Sequence, residues 1–165
     1  MRELEFFFDY ECPYCKKGYE DLIDLLKDHD DIKVIWRPVE AHPRPEDHPP
    51  HTDLCLQGLF FAQEHGADIK AYHERLFAAV HVDRIDVEDA KTVADYVKDL
   101  VDRDAFLKAL EDGTYKKIQE DGNDYAYEEN DVWFLPALRM DGRKLDAEGG
   151  VGVHKDLMKA YLEEK

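Results

Sequence analysis

Two cysteines, Cys12 and Cys15, are separated by two residues near the start of the chain, in the stretch Cys-Pro-Tyr-Cys. The apolar run Leu4–Phe8 precedes them and predicts a strand, and the apolar spacing of residues 13–28 predicts a helix. A thiol at the first turn of a helix lies near unpaired backbone N–H groups and the positive end of the helix dipole, which favour the thiolate. Because the thiolate is the attacking form in disulfide chemistry, this placement predicts thiol–disulfide exchange.

The predicted helix gives the two thiols different surroundings. Its apolar spacing places Cys15 on the buried face and leaves Cys12 at the exposed helix start. The helix terminus and the two lysines after Cys15 would lower the pKa of Cys12, whereas the carboxylates of Asp9 and Glu11 would raise it. We expect the net result to be a pKa below the value of about 8.5 for a free thiol.

Length, composition and charge limit the classes of protein to which this chain could belong. The chain has 165 residues, enough for one domain or for one domain that carries an insertion. Hydrophobic residues make up 44% and aromatic residues 12%, so a globular protein with a substantial core is expected. The formal net charge of −17 repels nucleic acid and anionic membrane surfaces, so neither is an expected partner. We expect a monomer or a dimer.

The sequence also favours a reducing compartment. It shows no signal peptide and no apolar run long enough to span a bilayer, so a cytoplasmic location is expected. In the cytoplasm a close cysteine pair is more often catalytic or metal-binding than structural. The chain has three cysteines, so it cannot form a four-cysteine zinc site alone.

Hydrophobic periodicity divides the remainder of the chain into strands and helices. Residues 32–37 alternate as a second strand, and residues 38–51 hold five of the seven prolines, which predicts a loop. Helical periods run from Thr52 to about Asn130, with helix N-caps expected at Asp86 and Thr114. A hairpin is predicted around Asp141-Gly142, and a last helix closes the chain.

The resulting order, β-α-β, a helical block and then β-β-α, resembles a thioredoxin fold. The helical block makes it similar to the DsbA family, and most of all to the cytoplasmic FrnE-like branch of that family. The residues that carry the resemblance are Phe8 to Cys15, Trp36-Arg37-Pro38, Leu135-Pro136-Ala137 and Gly149-Gly150-Val151. The resemblance implies an α/β thioredoxin-like fold with an inserted all-helical domain. Residues 1–53 and 131–165 would form the thioredoxin-like domain, and residues 54–130 the insertion.

The resemblance also implies roles for individual residues. Cys12 would be the nucleophile, Cys15 the resolving thiol, and Pro136 a cis-proline that faces the disulfide. Four residues are expected to contact the substrate, namely Pro13, Tyr14, Trp133 and Leu135. No cofactor is implied beyond the redox-active Cys12–Cys15 disulfide. The expected partners are protein or small-molecule disulfides and thiols, with glutathione left open as a co-substrate.

One position departs from the family pattern. Many thioredoxin-like proteins place a buried acid six residues before the first cysteine, where it accepts the proton of the resolving thiol. Here Phe6 stands at that position. The proton of Cys15 must then pass to Glu5, to Asp9 or to water, and the sequence leaves these three routes open.

Two other functions stay open at this point. A glutathione-dependent transferase or isomerase can have the same fold, although such relatives generally carry serine at the first cysteine. A metal-binding module could combine Cys12 and Cys15 with loop histidines. The spacing His42-x5-His48-x2-His51-x3-Cys55 supplies suitable donors but matches no standard zinc pattern, so no metal ligand is assigned. Cys55 itself is expected to be a buried, inert thiol.

Overall fold

The apolar run near the N-terminus is an inner strand of a four-stranded sheet in this computed structural model, which describes residues 1–164. The strands are β1 (Arg2–Phe8), β2 (Ile32–Pro38), β3 (Ala137–Met140) and β4 (Arg143–Asp146). Their order across the sheet is β2-β1-β3-β4. Strand β1 runs parallel to β2 and antiparallel to β3, and β3 and β4 form the predicted hairpin. The α/β fold class is thereby confirmed.

The α-helices lie in three parts of the chain. They are α1 (Pro13–Leu25), α2 (Asp53–Glu64), α3 (Ile69–His81), α4 (Ala90–Tyr96), α5 (Arg103–Asp112), α6 (Lys116–Asp124) and α7 (Lys155–Glu163). Helix α1 crosses from β1 to β2, and α2 to α6 lie between β2 and β3, where the insertion is predicted. The domain boundaries themselves stay a prediction. Within residues 1–164, no helix combines the length and the apolar character needed to cross a membrane.

Several helix ends differ from the sequence prediction. Helix α1 ends at Leu25 and continues as one 3₁₀ turn, so the predicted helix over 13–28 is slightly too long as an α-helix. The N-cap predicted at Asp86 is wrong, because the carboxylate that caps α4 belongs to Asp89 and accepts a hydrogen bond from the Thr92 N–H. The N-cap predicted at Thr114 is also wrong, since the residue before α6 is Tyr115.

An aromatic core joins the sheet to the helices of the middle segment. Phe8 on β1 packs edge-to-face against Tyr10 and Trp36. His73 on α3 lies within this cluster, with its ring centroid 4.3 Å from that of Trp36. Burial lowers the pKa of His73 to about 3, so this histidine is a neutral core residue. The cluster fixes α3 against the end of β1, directly before the two cysteines.

Candidate active site

Cys12 is the N-cap residue of α1, and Pro13 occupies the first turn of the helix. Proline suits this position because its fixed φ matches the helix and its missing N–H has no partner there. The carbonyl of Cys12 accepts hydrogen bonds from the backbone N–H groups of Cys15 and Lys16 at 3.1 and 3.2 Å. The start of α1 therefore fixes the backbone between the two thiols.

Both thiols are covered from solvent. Cys15 is fully buried, as predicted, but Cys12 is only 9% exposed, so the prediction of an exposed first cysteine is wrong. The segment before β3 lies against it, and the Cys12 Sγ donates a hydrogen bond to the Leu135 carbonyl at 3.7 Å. Any molecule that contacts the Cys12 sulfur must therefore approach it beside this carbonyl.

The pKa values of the two thiols are displaced in opposite directions. A hydrogen bond from the Cys15 thiol, together with the backbone N–H groups of Cys15 and Tyr14, lowers the pKa of Cys12 against an opposing effect of burial. Burial raises the pKa of Cys15 well above that of an ordinary thiol, and the neighbouring Cys12 adds to that rise. Cys12 is thus the thiol that ionises first, and Cys15 keeps its proton.

Pro136 lies beside the start of α1. The Leu135–Pro136 peptide bond is cis, as the sequence analysis predicts. A Cβ atom at Gly18 on α1 would lie 2.9 Å from the Pro136 Cγ, so a glycine is needed for this close approach. The carbonyl of Pro136 accepts a hydrogen bond from the backbone N–H of Ala147 at 3.1 Å. The proline is therefore held between α1 and the segment that follows β4.

A buried carboxylate stands three residues before Cys12. Asp9 is 1% exposed and accepts hydrogen bonds from the Thr52 hydroxyl at 2.5 Å, the Ala41 N–H at 2.8 Å and the Glu11 N–H at 3.2 Å. Burial raises its pKa to about 6, although the three donors act in the opposite direction. The other acid left open by the sequence, Glu5, accepts hydrogen bonds from Arg37 and Tyr125 instead.

A cavity of about 370 Å³ opens in front of Cys12. The residues predicted to contact substrate line it, namely Pro13, Tyr14, Trp133 and Leu135. Trp133 is 71% exposed, and the adjacent Phe134 is 56% exposed and lines the same cavity. The sequence analysis did not predict Phe134 as a substrate contact. Its position between Trp133 and Leu135, both predicted to contact substrate, could have indicated that role.

The structure does not bring together the metal-ligand set considered from the spacing of residues 42–55. Cys55 is fully buried on α2, and burial raises the pKa of its thiol. The two ring nitrogens of His51 lie 3.2 Å from the Glu88 carboxylate and 2.8 Å from the Glu46 carbonyl oxygen. Within residues 1–164, His42 and His48 group instead with Glu11 at the wall of the cavity.

The sheet and the cysteine-bearing helix define a thioredoxin-like fold with a helical segment inserted between β2 and β3. The family of DSBA-like thioredoxin domains matches residues 3–154, and the chain belongs to this family.

Individual relatives are more distant in sequence. The uncharacterized protein YwbO of Bacillus subtilis is 24% identical to this chain, over 82% of this chain and 84% of YwbO. Among solved structures, a "probable DsbA oxidoreductase", SCO1869 of Streptomyces coelicolor, superposes with a TM-score of 0.81 at 13% identity and covers 100% of this chain and 92% of that one. BdbD of Bacillus subtilis gives a TM-score of 0.75 at 18% identity, over 98% and 85% of the two chains. At these identities the structural likeness shows the fold alone.

Proposed function

We propose that this protein is a dithiol–disulfide oxidoreductase in which Cys12 is the nucleophile and Cys15 the resolving thiol. The observation that carries the proposal is the placement of the two thiols at one helix terminus, with Cys12 at the N-cap of α1 and Cys15 fully buried in its first turn, which displaces their pKa values in opposite directions. A lowered pKa supplies the thiolate that attacks, and a raised pKa keeps the second thiol protonated until it is needed. Membership of the DSBA-like family supports the same class of reaction.

The reaction proceeds in two exchange steps. The Cys12 thiolate attacks one sulfur of a substrate disulfide, forming a mixed disulfide and releasing the other substrate sulfur as a thiolate. Cys15 then loses its proton and attacks the Cys12 sulfur, which forms the Cys12–Cys15 disulfide and releases the second substrate thiolate. The substrate gains two electrons and the protein loses two. The reverse sequence oxidises a dithiol substrate.

We propose Asp9 as the group that accepts the proton of Cys15. It is buried, its charge is among the causes that raise the pKa of Cys15, and its own pKa of about 6 leaves it ionised but weakly basic near neutral pH. Asp9→Asn should slow the resolving step about tenfold or more near pH 7, within the range for general-base catalysis. Rapid-quench analysis of the mixed disulfide measures this step. Glu5→Gln is the matched control, and an equal effect of both variants would remove Asp9 from this role.

The surroundings of Cys12 favour a polypeptide substrate. Trp133 and Phe134 present aromatic surface at the cavity, and the Leu135 carbonyl lies beside the sulfur that would be attacked. Aromatic side chains contribute large contact areas to protein interfaces, and an extended peptide would find backbone groups at Leu135. We therefore propose protein disulfides or dithiols as substrates, with glutathione as a competing small-molecule co-substrate. The FrnE-like assignment and the cytoplasmic location stay predictions from the sequence.

Reduction of insulin disulfides tests the proposed activity. With dithiothreitol as the electron donor, the wild-type protein should accelerate insulin precipitation, and Cys12→Ser should lose that acceleration. Cys55→Ala is the matched control, because it removes the third thiol of the chain from a site outside the cavity. No acceleration by the wild type, or full activity of Cys12→Ser, would overturn the proposal. Acceleration that requires glutathione in place of dithiothreitol would instead favour the glutathione-dependent class.

A further inference from the structure

Two histidines and one glutamate converge at the wall of the cavity that contains Cys12. One donor atom from each of Glu11, His42 and His48 lies within 4.8 Å of the other two. The rings of His42 and His48 are stacked, with centroids 3.7 Å apart and planes 17° apart. Because His42 and His48 come from the proline-rich loop and Glu11 from the segment before α1, the fold and not the local sequence creates this group.

The contact between His42 and Glu11 has the dimensions expected for two ligands of one ion. The His42 Nε2 lies 3.6 Å from the Glu11 Oε1, which is longer than a hydrogen bond. Two ligands of a tetrahedral zinc ion with bonds of about 2.05 Å stand about 3.4 Å apart. The distance between the His42 nitrogen and the Glu11 oxygen is therefore close to that between two ligands of one zinc ion, and it is too long for a direct hydrogen bond between them.

The other nitrogen of the His42 ring is already bound to a carboxylate. The His42 Nδ1 lies 2.7 Å from the Glu46 Oε1, and the Nε2 on the opposite side of the ring lies 3.6 Å from the Glu11 Oε1. A carboxylate that binds the distal nitrogen of a metal-bound histidine is the usual outer partner in such sites, where it fixes the tautomer and raises ligand basicity.

The electrostatics of the site also favour a cation. The Glu11 side chain is 11% exposed, and within residues 1–164 no lysine or arginine nitrogen lies within 4.0 Å of its carboxylate, which has only the His42 ring at 3.6 Å. The net charge of −17 raises the local concentration of cations around the chain.

We propose that Glu11, His42 and His48 form a binding site for a divalent transition-metal ion of the Zn²⁺ type, with Glu46 as a positioning residue. Nitrogen and carboxylate donors suit Zn²⁺, and three protein ligands leave one coordination position open toward the cavity. His48 is exposed, so its ring is not fixed by surrounding core packing. The three ligands include neither Cys12 nor Cys15, so the proposal does not rest on the proposed thiol chemistry, although the site lies at the wall of the same cavity.

Calorimetric titration with Zn²⁺ tests the site. The full chain is first oxidised, so that the Cys12–Cys15 disulfide removes these thiols as competing ligands. We expect one ion bound per chain, with affinity reduced tenfold or more in Glu11→Gln, His42→Ala and His48→Ala, and about tenfold in Glu46→Gln. His29→Ala, between α1 and β2, is the matched control and should bind as the wild type does.

A second measurement distinguishes loss of a metal ligand from loss of folding in the loop variants. Co²⁺ replaces Zn²⁺, and its visible absorption reports tetrahedral coordination in the wild type and in the near-isosteric Glu11→Gln, which should lose it. Absence of one-to-one Zn²⁺ binding to the wild type would overturn the proposal. Binding that is equally tight in Glu11→Gln, His42→Ala and His48→Ala would overturn it as well, because the ion would then be held elsewhere.

Discussion

The carboxylate of Asp9, at the end of β1, accepts a 2.5 Å hydrogen bond from the hydroxyl of Thr52, the residue that precedes α2. Both residues are buried. This bond connects the segment before Cys12 to the first turn of α2. In that turn the Leu56 N–H donates a hydrogen bond to the Thr52 carbonyl. The position of the helical segment therefore influences the charge state of Asp9, whose charge in turn raises the pKa of both cysteines.

Thr52→Val should destabilise the protein by about 1–3 kcal/mol near neutral pH, because it removes a buried donor to a charged group while keeping the shape of the side chain. The loss of the donor also raises the pKa of Asp9 further, so the destabilisation should be smaller at about pH 4, where the carboxyl is largely protonated. Urea unfolding at the two pH values measures both effects. The exposed Thr114→Val is the control, with an expected change below about 0.5 kcal/mol.

Asp9 should also give the protein a specific pH dependence of stability. Its folded pKa of about 6 exceeds the ordinary value of 3.8, so the folded state binds more protons between these values and stability falls as pH rises through this window. The rise corresponds to about 3 kcal/mol, since one pKa unit is about 1.4 kcal/mol. Subtracting the unfolding free energies of Asp9→Asn from those of the wild type across pH 4–7 isolates this contribution. A difference that stays flat or rises with pH would contradict it.

The close contact between α1 and Pro136 gives Gly18→Ala an effect opposite to helix propensity. In an exposed helix this substitution stabilises by about 1 kcal/mol. Here the new Cβ would lie 2.9 Å from the Pro136 Cγ, so we expect destabilisation by about 1–3 kcal/mol and a several-fold loss of insulin reduction. Thermal unfolding and the activity assay measure the two changes. Glu20→Ala, on the exposed face of the same helix, is the control, and a stabilised, fully active Gly18→Ala would refute the packing argument.

Trp133 should act through substrate binding without supporting the fold. Its ring is 71% exposed, so Trp133→Ala should change the free energy of unfolding by less than about 0.5 kcal/mol. Loss of a buried aromatic contact in the complex should raise the KM for a disulfide-containing peptide about tenfold and leave kcat within about twofold. Steady-state kinetics with such a peptide measures the split. Ile118→Ala removes another exposed apolar side chain, from α6 and outside the cavity at Cys12, and should change neither constant.

The parts of the fold set by local patterns could be predicted from the sequence. The alternation in β2, the helical spacing of α1 and the Asp141-Gly142 turn each specify their own element, and the observed hairpin and parallel β1–β2 pair follow from them. The 9% exposure of Cys12 could not be predicted, because the segment that covers it precedes β3, more than a hundred residues later.

The composition of the candidate site could be predicted less well than the fold, because it depends on contacts between segments that are distant in the sequence. Asp9 was one of three open proton acceptors, and only its donors on Thr52 and Ala41 identify it as the buried one. The spacing of residues 42–55 grouped His51 and Cys55 with the loop histidines, whereas the folded loop replaces them with Glu11. Sequence spacing cannot report such a group, because proline-rich loops have no fixed period.

Replacement of the resolving cysteine tests the central claim most directly. Cys15→Ser leaves Cys12 able to attack but unable to release its partner, so incubation with a cell extract should accumulate mixed disulfides that dithiothreitol dissolves. Mass spectrometry of the trapped species should place every adduct on Cys12, mostly as protein partners, and the Cys12→Ser, Cys15→Ser double variant should trap none. Equal trapping by the double variant, or no adducts on Cys12 at all, would contradict the assignment of Cys12 as the nucleophile of a dithiol–disulfide oxidoreductase.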